Sequence, residues 1–132
     1  MEEIIKEEFV QNSLYRLDEN TRMNTISLEK LSEADVWKRP NESLNSIGNL
    51  ILHICGNINQ YVISSLGQQE DTRERDLEFE TRSGHTKTEL LEKLKETVET
   101  AKRVINDASI EQFVRKRDVQ GFYFSGIGVV LH

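Results

Sequence analysis

The run Asn45–Tyr61, NSIGNLILHICGNINQY, constrains the fold more than any other part of the chain. It is the most apolar segment of a sequence in which 30% of the residues are charged, so the core has to be organised around it. Ile47, Leu50, Ile51, Ile54, Ile58, Tyr61 and Val62 recur at intervals of three and four, the spacing of one helix face. Asn45 or Ser46 is placed to cap the first turn by accepting from a free backbone N–H. Gly67 follows the last periodic residue, where helices often end on a left-handed residue. His53 sits mid-helix at the edge of the apolar face, with Asn49 and Asn57 four residues to either side and on roughly the same face. Two readings stand. The imidazole is a neutral, hydrogen-bonded core residue, or it is a metal ligand or catalytic base held inside a helical bundle. One histidine by itself is not a metal site.

A chain of 132 residues predicts a single domain, 1–132, with one core. The single cysteine, Cys55, excludes an intramolecular disulfide and reads as a small buried hydrophobe rather than a nucleophile. A reducing, cytoplasmic setting suits that usage. Met1-Glu2-Glu3 is acidic where a secretory leader is basic. No apolar run reaches the roughly 18 residues of a membrane span. A net charge of −6 argues against a nucleic-acid backbone as partner.

The first helix is predicted from Glu2 to about Ile26, burying Ile5, Phe9, Leu14, Leu17 and Met23. Ser32-Glu33-Ala34-Asp35 has the form of a capped short helix ending at Trp37, and Arg39-Pro40-Asn41 breaks the chain. Trp37 is expected to plug the end of the bundle. Residues 67–84 form a long charged connection in which Arg73, Arg75 and Arg82 alternate with acidic residues and Phe79 is the one aromatic anchor. It reads as a salt-bridged strap, an oligomer contact or a solvated crossover. Thr86-Lys87-Thr88-Glu89 is a capping box for a third helix, and Leu90, Leu91, Leu94, Val98, Ala101, Val104 and Ile105 carry its helical period to about Asp107. Ser109–Phe113 is expected to be a turn, and Val114–Tyr123 extended up to Gly121. Ser125 starts a short apolar fourth helix ending at His132. His85 reads as exposed.

The pieces Leu31–Trp37 (LSEADVW), Arg39–Glu42 (RPNE), Asn45–His53 (NSIGNLILH), Gly56–Asn57 and Arg73–Phe79 (RERDLEF), in this order and spacing, resemble the DinB/YfiT-like superfamily, and within it a bacterial branch of unknown function. The resemblance is close over about residues 30–80 and elsewhere follows the helix layout. It implies an all-α fold, a four-helix bundle with a long crossover between helices two and three, often dimeric. In the superfamily a histidine on the second helix and an HxxxH pair on the fourth bind a divalent metal, commonly zinc or nickel. Some members are thiol-dependent S-transferases or isomerases.

His53 matches the second-helix ligand. His132, closing the string VVLH, falls one turn before the first fourth-helix ligand or on it. On either alignment the fourth helix is truncated, and the three-histidine site is not completed within one chain. The resemblance therefore implies a divalent-metal-binding protein. In complete form it would be a metal-dependent thiol S-transferase or hydrolase acting on a small molecule, with His53 as ligand and a homodimer as the assembly. By helical spacing, Asn49 and Asn57 are candidate partners behind His53. The alternative is a non-enzymatic dimeric interaction protein. His53 is then a core residue, and the apolar face of Ile127, Val130 and Leu131 is covered by a second copy.

Overall fold

The computed structural model describes residues 1–132 and is predominantly α-helical. Helix α1 spans Glu2–Glu29, α2 Glu33–Val36 and α3 Ile47–Ile58. Without a break, α3 becomes a π-helical segment over Asn59–Leu66. Then follow α4 (Arg75–Glu80), α5 (Lys87–Asp107), α6 (Ile110–Val114), strands β1 (Lys116–Val119) and β2 (Phe122–Ser125), and α7 (Gly126–Leu131). No helix is long and apolar enough to cross a membrane.

The bundle is built on α5. Leu90, Leu94, Val98, Ala101 and Ile105 recur at helical spacing, and all are buried. This stripe packs on α1 on one side and on α3 with its π segment on the other, while α7 packs on the π segment. The helix starts follow the capping chemistry of the sequence. Ser32 with Asp35, Ser46 with Asn49, and Thr86 with Glu89 each form a reciprocal capping box. Of the two candidates for α3, Ser46 is the cap.

Several expected burials are corrected. In α1, Ile5 is 62% and Met23 56% exposed, and Val10 and Leu28 are buried instead. The physical reason is that α1 packs on α5 and α6. Its flank toward α3 stays open as a groove of which Met23 is one wall and Ile54 and Ile58 the other, and Ile5 lines a second open groove beside Ile110, Val114 and Ile127. In α3, Ile47 and Leu50 are exposed, while Ile51, Leu52 and Cys55 are buried, so the core face is rotated from the predicted stripe.

Gly67 is right-handed (φ −80°), and the left-handed residue is Gln68 (φ 56°). Gly67 serves close approach instead, since a Cβ there would crowd the Ile63 carbonyl and stand 3.1 Å from Val104. The expected turn at Ser109–Phe113 is helix α6, capped by Ser109. The extended reading after it becomes an antiparallel hairpin in which Val119 pairs with Phe122. Its two-residue turn, Gln120-Gly121, has positive φ at both positions, the geometry that matches strand twist. Trp37 lies half-buried against Gly48, with its Nε1 donating to the His85 carbonyl at 3.0 Å.

Candidate functional site

A glycine inside an apolar helix costs about 1 kcal/mol against alanine and calls for a packing reason. Gly56 has one. A Cβ there would overlap Glu78 Oε2 and stand 2.6 Å from Glu78 Cδ and 3.0 Å from Arg73 Nε. Glu78 belongs to α4 and Arg73 to the loop before it, so the charged connection is a strap laid across α3 with its ion pair seated on Gly56. Asn49 anchors the strap by donating to the carbonyls of Glu78 (2.8 Å) and Thr81 (2.7 Å). Arg39 adds a bond from Nη2 to the Phe79 carbonyl at 2.7 Å. Asn49 is fully buried because it fills this role and also closes the Ser46 capping box.

Arg73 is the centre of the cluster. Its Nε and Nη2 each stand 3.0 Å from a Glu78 carboxylate oxygen, a bidentate fork. Its Nη1 donates to Gln60 Oε1 at 2.8 Å, and the Gln60 amide donates to Asp71 at 2.9 Å. Gln60 stands in the π-helical segment, a backbone form frequent at functional sites. His53 Nδ1 lies 3.2 Å from Glu78 Oε1 and 3.2 Å from Arg73 Nη2. The ion pair is buried, with side chains 2% and 9% exposed, whereas the His53 side chain is 34% exposed. The arrangement therefore presents one imidazole to solvent from a closed polar seat. Phe79, the expected anchor, lies with its ring 5.1 Å from that of His53, and Arg75 stacks over Phe79 at 5.2 Å.

The other candidates do not join this cluster. Asn57, half-buried, makes no side-chain hydrogen bond to His53, and the Asn49 amide is committed to the strap. His85 is half-buried with its ring stacked on Trp37. His132 stacks on Tyr61 at 4.4 Å, eight residues along from His53. Cys55 is fully buried. Burial pushes its thiol up, with Thr97 pulling less strongly the other way, so it is no ready source of thiolate.

No three His, Cys, Asp or Glu side chains converge on a point where a metal ion would sit. Both Glu78 oxygens are engaged by Arg73, and a cation on Nδ1 would face the guanidinium. The residues present thus offer a metal one imidazole and do not fit a complete site. Neutral imidazole backed by a carboxylate can accept a proton or lend its lone pair to a metal.

The sequence placed Arg73 and Glu78 in a salt-bridged strap, an oligomer contact or a solvated crossover without linking either to His53, and gave Gln60 no role. The available signal was Gly56, a helix-weakening residue one turn after His53. The sequence over residues 4–123 matches the family described as protein of unknown function DUF1572. No curated protein and no solved structure matches the chain.

Proposed function

The chain belongs to the DUF1572 family, an uncharacterised branch of the DinB/YfiT-like superfamily, and on that premise we propose that His53 is its working group. In this reading His53 is one ligand of a divalent-metal site, zinc or nickel, where a thiol is joined to a small molecule or the small molecule is hydrolysed. The observation that carries the reading is the buried carboxylate of Glu78 at 3.2 Å from Nδ1, the kind of outer partner that orients metal-ligating histidines. A mid-helix glycine, a π-helical segment and a buried ion pair are each unfavourable or neutral by themselves; the first seats the ion pair, the second holds Arg73 through Gln60, and the pair meets the His53 ring. Because residues 1–132 supply one such ligand, the remaining donors belong to a second copy or lie outside those residues, and no reaction step is routed through the metal. The test is calorimetric titration with zinc and nickel of the protein as expressed from its gene. About one ion per site, lost in His53→Ala, is expected; no heat with either metal overturns the reading.

A second reading, a dimeric helical interaction protein, is favoured by one apolar end of the bundle. Of the expected face, Ile127 is 39% and Leu131 72% exposed while Val130 is half-buried against the core, and Ile5, 62% exposed, lines a groove beside Ile127. A second copy covering these residues removes the liability. Sedimentation should then show a concentration-dependent dimer, and a monomer at every concentration counts against it.

A further inference from the structure

We infer that Glu78, gripped by Arg73, is a positioning residue that fixes His53 as the Nδ1–H tautomer and leaves Nε2 as the bare nitrogen a ligand meets. The inference rests on the reading of His53 as the working group and adds which atom works and what it selects.

Arg73 Nη2, Glu78 Oε1 and His53 Nδ1 stand 3.0, 3.2 and 3.2 Å apart, a nearly equilateral triangle. Its corners are roughly 60°, whereas the two hydrogens on a planar guanidinium nitrogen point about 120° apart. Nη2 therefore cannot aim a straight N–H at both Oε1 and Nδ1. A carboxylate oxygen is less demanding, because it accepts over a broad range of directions and has two lone pairs. Two donors converging on Oε1 are accommodated; one donor group diverging to two acceptors is not. The bare-Nδ1 form also sets the ring lone pair against a charged carboxylate oxygen at 3.2 Å. With the proton on Nδ1, that side of the triangle becomes a charge-assisted hydrogen bond.

Arg73 is not free to turn away and relieve the conflict differently. Its Nη1 is held by Gln60 and its Nε by the second Glu78 oxygen, and the side chain is almost fully enclosed. Gly56 leaves the space that lets the carboxylate reach this position. The strap thus sets the chemistry of the ring at a nitrogen to which it makes no hydrogen bond. A bare Nε2 takes an electron-pair acceptor: a metal cation, or the proton of a thiol or hydroxyl. The opposite tautomer would present an N–H and take an anion or a carbonyl instead.

The test is long-range nitrogen–proton NMR on uniformly 15N-labelled protein at about pH 8, above the ordinary histidine range. His53 is identified by its loss in His53→Gln. An Nδ1–H signature in the wild type, with the preference lost in Glu78→Ala, is expected. A wild type protonated on Nε2 overturns the inference, and so does a Glu78→Ala spectrum unchanged from wild type. The wild-type measurement decides even if Glu78→Ala releases the strap. The two claims also fail separately. Nδ1–H without zinc or nickel binding removes the metal reading and leaves this one. Metal binding through His53 in a protein whose metal-free form is Nε2–H does the reverse.

Discussion

Gly56→Ala puts two effects of opposite sign on one residue. Alanine favours the helix by about 1 kcal/mol. Its methyl group, however, would occupy the place of the Glu78 carboxylate, 2.6 Å from Cδ and 3.0 Å from Arg73 Nε. Arg73 grips both carboxylate oxygens and is itself almost fully enclosed, so the carboxylate cannot swing aside alone and the strap lifts with it. Lifting breaks the Asn49 bonds to the Glu78 and Thr81 carbonyls and the Arg39 bond to the Phe79 carbonyl, each worth about 1 kcal/mol net. Arg73 and Glu78 leave together and return to water, so no lone charge stays buried, and the pair itself adds little. Docking of the strap is then weakened on the order of 3 kcal/mol, or roughly 100-fold. Hydrogen exchange reads this locally. The amides of Leu77 and Thr81, bonded within the strap, should lose about 100-fold protection. Amides in α5 should keep theirs or gain slightly. Unchanged strap protection in a folded Gly56→Ala protein would refute the account of why Gly56 is a glycine.

Three further outcomes follow from the packing. Gly48→Ala would place a methyl 2.6 Å from the Trp37 ring and displace the indole from its bond to the His85 carbonyl. A red-shifted emission from the sole tryptophan and a loss of about 1–3 kcal/mol are expected in a urea melt. Leu94→Ala, at a position only 2% exposed, should cost about 2–5 kcal/mol in the same assay, and a change under ~1 kcal/mol would contradict its place in the core. Cys55 should resist thiol reagents in the folded state. Because burial raises the pH at which the thiol ionises, the folded protein holds its proton where the unfolded chain releases it, so stability falls as pH rises above the ordinary thiol range. Comparing urea midpoints of wild type and Cys55→Ala across that range should show the wild type losing more.

The helix starts were legible because their chemistry is local. Ser32, Ser46 and Thr86 each act within three residues of chain, and the structure uses all three. The long α5 stripe was legible because period alone defines it. Burial in α1 was not, since Ile5 and Met23 have the right spacing but line open grooves instead of closed contacts, and spacing carries no information about how closely neighbours approach. The site divides the same way. His53 stood out as a polar residue in an apolar helix. Arg73 and Glu78 looked like two charges among many, because the feature that sets them apart is a contact with a helix more than ten residues away, across a turn whose path the sequence does not encode locally. The extended reading after Val114 was correct in kind, and its turn became clear only from the paired positive φ values of Gln120 and Gly121.

The central claim is that the strap-held imidazole of His53 is the group this fold presents for chemistry. Zinc titration of the protein as expressed from its gene, followed at the Nε2 resonance of His53, tests it most directly. The account predicts that Nε2 moves on zinc addition while Nδ1 keeps its proton, and that His53→Ala abolishes the saturable binding. Zinc that binds without moving Nε2, or binds His53→Ala equally well, would contradict it.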